Sequence, residues 1–269
     1  MRILSPAKIN LTLKILGQRQ DGYHLLQTYF QLLDWGDTIN FELLDNHDIH
    51  ISGQFGTLAQ EDNLIYKALL LLLPHRKNHK GICIDVEKNI PQGSGLGGGS
   101  SNAGTTLRIV NGLWECNLSA KHLQKLALEL GADVPVFVLN QSAMALGVGE
   151  KLTPYEIDQY FYVLIFPEIS IATVDVFKNK HLNRHQLQIT LSDINNKNQW
   201  KNACLPVVLA NYPAVKEVYN IASNITTTYM SGTGSTLFCC FDSNSKANEF
   251  INRCPKHWNM QVCKSKIIQ

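Results

Sequence analysis

Glycine occupies five of the seven positions from Gly93 to Gly99, in a segment that follows Pro91 and precedes a predicted helix. Glycines let backbone N–H groups approach an anion, and a helix N-terminus adds unpaired N–H groups and the positive end of a dipole. The helix is predicted from residue 101 to about 114, with Ala103, Leu107 and Val110 on its inner side. The segment therefore predicts a phosphate-binding turn, with a glycine-rich hairpin or bulge as the structural alternative.

Three known phosphate-binding patterns can be compared with this segment. A Walker A loop is excluded because no Gly-Lys-Ser/Thr follows the glycines. The dinucleotide pattern G-x-G-x-x-G matches Gly93, Gly95 and Gly98, but Glu115, the acidic residue downstream, follows the predicted helix with no second strand to carry it. The loop of protein kinases has the same pattern, but no His-Arg-Asp or Asp-Phe-Gly follows it. A protein kinase is excluded, and a NAD-dependent dehydrogenase stays a distant alternative.

The first half of the chain shows both strand and helix periodicity. Apolar residues at 9, 11 and 13 alternate with polar ones, so Lys8 and Asn10 should lie on the same face of a strand. Strands at 28–33 and 38–43 are predicted to form a hairpin around a turn at residues 34–37. Further predicted features are a helix capped at Asp62–Asn63, a strand over 82–86, and a helix from a Ser119 cap to a left-handed Gly131.

The second half predicts a separate α+β unit. A strand at 161–166 and a helix near 173–178 precede a poorly patterned polar stretch that runs to about residue 202. The later predicted elements are a helix from Pro213, strands at 227–230 and 236–241, a helix from Ser243 and a strand near Val262. This order suggests a sandwich of the βαββαβ kind with additional helices.

Composition narrows the class of partner. The net charge is +2, charged residues make up 17% of the chain, and no apolar run approaches the roughly 20 residues of a transmembrane helix. These features predict a small-molecule partner, with no nucleic acid and no membrane. Seven cysteines without a Cys-x-x-Cys pair predict reduced thiols, and a start without a secretory signal predicts a cytoplasmic protein. Two His-x3-His pairs, at 75 and 79 and at 181 and 185, lack further ligands, so no metal site is predicted.

The pattern Pro-x-x-x-Gly-Leu-Gly-x-x-Ser-Ser, from Pro91 to Ser101, resembles the phosphate loop of the GHMP kinases (galactokinase, homoserine kinase, mevalonate kinase and phosphomevalonate kinase). Further motifs resemble one member of this family, a kinase that phosphorylates the 2-hydroxyl of a cytidine-diphosphate methylerythritol. These motifs are Pro6–Leu11, Asp21–His24, Gly131–Phe137, Gly147–Glu150 and, more weakly, Ser231–Gly234. The chain departs from the family at Ser94, often a glycine there, and in a 170–178 segment without prolines; residues 180–205 align poorly.

The resemblance implies the two-domain GHMP kinase fold. An ATP-binding domain over residues 1–152 would be ribosomal protein S5 domain 2-like, and a domain over residues 153–269 would be the ferredoxin-like βαββαβ sandwich. It also implies ATP with Mg²⁺ as cofactor, and we expect a monomer or weak dimer. Another GHMP kinase, acting on homoserine, mevalonate or a sugar, and a nucleotide-binding regulator that has lost phosphoryl transfer are the alternatives.

The resemblance also assigns site residues. Lys8 and Asp133 would be catalytic, although from the residues alone Lys8 could be a solvated strand lysine and Asp133 a cap on the turn before Pro135. The expected ATP-binding residues are Pro91, Gly93, Ser94, Gly95, Leu96, Gly97, Gly98, Gly99, Ser100 and Ser101. The expected substrate-binding residues are Asn10, Tyr23, His24, Phe177 and Lys178, with the aromatic residues at the cytosine. A core role for Phe177 is the alternative at that position.

Overall fold

The computed structural model describes residues 1–267 of the chain. These residues divide into two compact units that interleave along the sequence. Unit 1 comprises Met1–Ala7, Trp35–Pro91 and Gly97–Gln141, and unit 2 comprises Lys8–Asp34, Gln92–Leu96 and the described residues from Ser142 onward. The division into family domains at residues 152 and 153 stays a prediction. Two long strands, β1 (Arg2–Gln18) and β2 (His24–Leu44), contribute residues to both units.

Unit 1 packs helices against a small sheet. Residues 38–44 of β2 pair antiparallel with β4 (Gly81–Glu87), and β3 (Ile49–Gly53) pairs parallel with β4. The core includes Phe41, Leu69 and Trp114, which are buried together. The helices are α1 (Leu64–Leu72), α2 (Gly98–Leu113), α3 (Ala120–Leu130) and α4 (Val134–Leu139).

The predicted helix caps of unit 1 are confirmed. The Asn63 side chain accepts a hydrogen bond from the Ile65 N–H at the start of α1, and the Ser119 hydroxyl accepts one from the His122 N–H at the start of α3. Gly131 ends α3 with a positive φ of 156°, a conformation that favours glycine, although its ψ of 157° lies outside the left-handed helical region. The chain turns at once into α4, with the Val134 N–H donating to the Gly131 carbonyl at 3.1 Å.

The predicted hairpin at residues 34–37 is wrong, because β2 continues through this segment. Gly36 serves a close approach of two strands, since a Cβ there would overlap the backbone of Ser5. The Asp37 side chain is fully buried and accepts from the N–H groups of Asn89 at 2.7 Å and Ile90 at 2.9 Å. The absence of a side chain at Gly36 therefore lets β2 lie close to β1, and the Asp37 carboxylate bonds β2 to residues 89–90.

Unit 2 contains the predicted βαββαβ sandwich. Its antiparallel sheet has the strand order β10-β7-β9-β8, from β7 (Phe161–Phe166), β8 (Thr228–Met230), β9 (Leu237–Phe241) and β10 (Asn259–Lys264). Its helices are α5 (Thr173–Lys178), α6 (Leu205–Asn211), α7 (Pro213–Ser223) and α8 (Asn244–Arg253). Val163, Val208 and Phe250 belong to its core. Sequence reasoning missed α6, whose two turns are too short to show a periodicity.

Unit 2 also contains a second group of paired strands. Residues 26–30 of β2 pair antiparallel with β5 (Ala143–Gly147), which pairs in turn with β6 (Lys151–Pro154). Strand β1 also pairs with β2. None of the helices described within residues 1–267 is both long and apolar enough to cross a lipid bilayer.

Candidate active site

The glycine-rich segment adopts the conformation that its composition predicts. Gly93, Gly95 and Gly97 have φ values of 68°, 76° and 73°, a region that other residues rarely adopt. Helix α2 begins directly afterwards at Gly98, with Gly97 as its N-cap. The prediction that these glycines open a helix is confirmed, and the hairpin alternative is wrong.

The part of the loop that belongs to unit 2 rests on the turn Ser231–Gly234. The Ser231 hydroxyl donates to the Gly95 carbonyl at 3.0 Å, and the Thr236 N–H donates to the Ser94 carbonyl at 3.2 Å. A Cβ on Gly95 would lie 2.6 Å from the Ser231 carbonyl oxygen. The segment Ser231–Gly234, which resembles the family motif only weakly, therefore contacts the loop directly.

The first turn of α2, in unit 1, is tied to β1 by hydroxyl groups. Ser101 is fully buried, and its Oγ donates to the Pro6 carbonyl at 2.6 Å and lies 2.8 Å from Ser5 Oγ. Ser5 Oγ also donates to Asn102 Oδ1 at 2.9 Å. Of the two serines predicted at the phosphates, Ser101 is thus bonded within the protein, whereas Ser100 is only half-buried.

Sequence reasoning missed a lysine beside the start of α2. Lys88 forms an ion pair with the buried carboxylate of Asp37, and its ammonium would lie 3.5 Å from a Cβ on Gly98. A cation is therefore held close to Gly98, the first residue of α2. Its position shortly before Pro91 is a weak signal, because single lysines are common on surfaces.

Lys8 and Asn10 form a buried polar pair in unit 2. Each is only 3% exposed, and Lys8 Nζ donates to Asn10 Oδ1 at 2.7 Å. Asn10 Nδ2 in turn donates to the Thr28 hydroxyl at 2.7 Å, and the ammonium lies 5.4 Å from the centre of the Phe30 ring. The prediction that Lys8 and Asn10 share a strand face is confirmed. The alternative of a solvated lysine is wrong.

Asp133 lies in unit 1, directly before α4. It is half-buried, and its side chain does not cap that helix. The alternative role of Asp133 as a cap on the turn before Pro135 stays a prediction.

Two of the predicted base-binding residues, His24 and Phe177, contact each other in unit 2. Their ring centroids are 5.0 Å apart, with an angle of 33° between the ring planes. Tyr23 is 65% exposed, and Lys178 at the end of α5 is also exposed. His24 is held by Arg184, whose Nε donates to His24 Nε2 at 3.1 Å. Burial, followed by the charge of Arg184, lowers the pKa of His24.

Arg184, the partner of His24, is a second residue that sequence reasoning missed. It lies in the stretch 180–205, where the resemblance in sequence was too poor to assign residues, and its partner His24 is 160 residues away in sequence. Nothing local distinguishes it from a surface arginine.

Comparison with known proteins decides between the alternatives that the sequence left open. The model described as "GHMP kinases N terminal domain" matches residues 63–141, and "GHMP kinases C terminal" matches residues 182–259. A 4-diphosphocytidyl-2-C-methyl-D-erythritol kinase of Marinomonas sp. is 44% identical over 98% of this chain and 87% of its own length. The chain belongs to the 4-diphosphocytidyl-2-C-methyl-D-erythritol kinases of the GHMP kinase family. The kinase of the same name from Nitrosococcus oceani is 41% identical, with 97% and 92% of the two chains covered.

Solved structures agree with this membership in the GHMP kinase family. The crystal structure of a 4-(cytidine 5'-diphospho)-2C-methyl-D-erythritol kinase superposes with a TM-score of 0.86 at 29% identity and covers 98% of both chains. A homoserine kinase from Cytophaga hutchinsonii shares the fold, with a TM-score of 0.71 at 17% identity over 99% and 94% of the chains. The predicted two-domain GHMP kinase fold is confirmed, and the dehydrogenase alternative is wrong.

Among the described residues, no group of three or more His, Cys, Asp or Glu side chains is placed to hold a metal ion. The seven cysteines are all free thiols.

Proposed function

We propose that this kinase transfers the γ-phosphoryl group of ATP to the 2-hydroxyl of 4-diphosphocytidyl-2-C-methyl-D-erythritol. The products are the 2-phosphate and ADP, in the non-mevalonate route to isoprenoid precursors. The observation that carries the proposal is identity of 44% and 41%, over nearly the whole chain, to relatives named for this kinase.

The segment Pro91–Ser101 would hold the ATP phosphates. Phosphoryl transfer depends mainly on positioning and on charge stabilisation, which backbone N–H groups and a helix N-terminus provide. The positive φ values of the glycines and the start of α2 at Gly98 support this assignment. Lys88 would add a positive charge beside that helix start.

Magnesium would arrive with ATP. Mg²⁺ in kinases is commonly held by substrate phosphates and only one or two protein ligands, which fits a chain whose described residues contain no multi-residue metal cluster. Ser100, in the first turn of α2, offers a hard hydroxyl oxygen as one such ligand. The bound ion would neutralise negative charge on the phosphates.

Asp133 and Lys8 would act at the reacting groups. We assign Asp133 to accept or orient the proton of the 2-hydroxyl, and Lys8 to stabilise the charge of the transferred phosphoryl group. The burial of Lys8 and its bond to Asn10 support this role, because an ammonium held in one position by the protein is preorganised for an anion. Asn10 would lie at the erythritol end.

Tyr23, His24 and Phe177 would bind the cytosine, with the rings of Tyr23 and Phe177 stacking on it and His24 reading its polar edge. Lys178, next to Phe177, would face a phosphate of the substrate. The contact between the rings of His24 and Phe177 supports a shared role for them.

The test is phosphorylation of the cytidine-diphosphate substrate by the wild type and by Asp133→Asn, with ADP release and the phosphorus NMR spectrum of the product as readouts. We expect Asp133→Asn to lower kcat by roughly 10²–10⁴-fold, the usual contribution of a general base. Asp45→Asn is the matched control, because it makes the same change at an exposed carboxylate in unit 1. Equal kcat values in wild type and Asp133→Asn would refute the assignment of Asp133. Phosphorylation of homoserine or mevalonate in place of the cytidine compound would refute the substrate.

The state of the molecule in the cell is part of the same proposal. We propose a cytoplasmic monomer or weak dimer, in keeping with seven unpaired cysteines. Light scattering across a range of protein concentrations tests the oligomeric state, and a stable tetramer would contradict it.

A further inference from the structure

Arg184 joins three separate segments of unit 2. Its guanidinium donates to His24 Nε2 at 3.1 Å and to the backbone carbonyls of Phe177 at 2.7 Å, Asn179 at 3.1 Å and Leu182 at 3.2 Å. His24 stands at the start of β2, and Phe177 and Asn179 lie at the end of α5. The arginine therefore links the His24 ring to the backbone of Phe177, whose own ring contacts His24.

The bond between Arg184 and His24 determines which imidazole nitrogen carries the proton. A guanidinium has donors only and stays protonated in proteins, so His24 Nε2 must be the acceptor. An imidazole that accepts at Nε2 is neutral and carries its hydrogen on Nδ1. The lowered pKa of His24, caused by burial and by the charge of Arg184, agrees with a neutral ring.

We propose that Arg184 fixes His24 as the Nδ1–H tautomer, and that this donor selects cytosine over uracil at the base-binding residues. The inference rests on the proposed function, in which His24 reads the polar edge of the base. Cytosine has an unprotonated N3 that accepts a hydrogen bond, whereas N3 of uracil carries a hydrogen and donates one. An Nδ1–H group addressed to N3 pairs with cytosine and opposes uracil. Arg184 is therefore a positioning residue that acts through His24.

The guanidinium is suited to this task for a geometric reason. Its planar fork donates in several fixed directions at once, and it reaches one ring nitrogen and three carbonyls. A lysine at position 184 would keep the charge but could not maintain this set of directions. The structure thus distinguishes Arg184 from a residue that contributes only a positive charge.

The first experiment reads the tautomer in the free wild-type enzyme. Long-range proton–nitrogen NMR at pH 8 distinguishes a protonated from an unprotonated ring nitrogen, and the His24 signals are assigned by their loss in His24→Gln. We expect Nδ1 to carry the hydrogen and Nε2 to be unprotonated. A hydrogen on Nε2 would overturn the proposal, whether or not the enzyme phosphorylates the cytidine compound. The failure of the inference is therefore distinguishable from the failure of the proposed function.

The second experiment measures discrimination between the cytidine-diphosphate substrate and its uridine counterpart. We expect Arg184→Gln to reduce the preference for cytidine, as a ratio of kcat/KM values, by about 10-fold, because one directed hydrogen bond is lost. The change should lie in KM, with kcat nearly retained, and Arg184→Lys should not restore the preference. Lys180→Gln, which removes a charge from an exposed site in the same segment, is the matched control. An unchanged ratio in Arg184→Gln, with both substrates weakened equally, would show a purely structural role and refute the proposal.

Discussion

Replacement of Gly95 by alanine should displace the glycine-rich loop, because the added Cβ would overlap the backbone of the Ser231–Gly234 turn. Gly95 has a φ of 76°, and a Cβ there would lie 2.6 Å from the Ser231 carbonyl oxygen and 2.7 Å from that of Gly234. Carbon atoms do not approach carbonyl oxygens this closely. Both oxygens belong to the backbone, so neither can rotate away as a side chain would. The loop or the Ser231–Gly234 turn must therefore move.

The magnitude follows from two contributions. A left-handed backbone costs a residue with a Cβ about 1–2 kcal/mol. The steric overlap adds about 1–3 kcal/mol, the usual range for overpacked sites. The sum of about 2–5 kcal/mol corresponds to a decrease in the unfolding midpoint of roughly 4–20 °C for a protein of this size. If the loop moves, the bond from the Ser231 hydroxyl to the Gly95 carbonyl is lost, and KM for ATP should rise.

Thermal unfolding followed by circular dichroism, together with KM for ATP, tests this expectation. The matched control is Gly112→Ala in α2, where an added Cβ would meet no atom within 4 Å beyond its chain neighbours and the backbone of its own helix. Alanine in a helix is favoured over glycine by up to about 1 kcal/mol, so the control should be as stable as the wild type or more stable. If Gly95→Ala unfolds at the same temperature as the wild type with the same KM for ATP, the reasoning about this contact is wrong.

Two further changes test the buried interactions. Ser101→Ala removes the hydroxyl that bonds to Pro6 and Ser5, so the free energy of unfolding in urea should fall by about 1–3 kcal/mol; a decrease no larger than that of Ser100→Ala would contradict this. Burial raises the pKa of Cys204 to about 12, compared with about 8.5 for an unperturbed thiol. Stability from this thiol is fully present below about pH 8.5 and is lost as pH rises toward 12, because only the unfolded thiol ionises readily there. Urea midpoints at pH 8 and 10 should therefore fall less in Cys204→Ala than in wild type, and equal falls would refute the assignment.

Features that depend on a few neighbouring residues were predictable from the sequence. The Asn63 and Ser119 caps satisfy N–H groups two or three residues away, and the φ values at Gly93–Gly97 follow from a turn that leads into a helix. In each case the residue that makes the structure and the residue that needs it lie side by side in the chain. The strands of the βαββαβ sandwich were also predictable, because their apolar runs are long enough to show a pattern.

The predicted hairpin failed because its local signal has two physical meanings. A glycine followed by an aspartate is typical of a turn, but it also fits a strand that another backbone approaches closely. At Gly36 and Asp37 the strand forms because of partners elsewhere in the chain. These partners are Ser5 and the N–H groups of Asn89 and Ile90. Contacts at such sequence distances leave no trace in the local pattern. The same reason hides Arg184, whose role depends on a histidine near the start of the chain.

The polar face of β1 shows why the candidate site could be predicted only in part. Alternation predicted that Lys8 and Asn10 lie on one face, and such a face is usually solvated. In the structure both are buried, and their polar groups are satisfied by one another, by Thr28 and by Ser231, whose hydroxyl accepts from the Asn10 N–H at 3.3 Å. Burial of an ammonium and an amide is unfavourable unless every partner is in place, and apolar side chains would stabilise such a strand at least as well. This buried polar network on β1 is therefore the structural observation that best supports the proposal that Lys8 acts on a substrate.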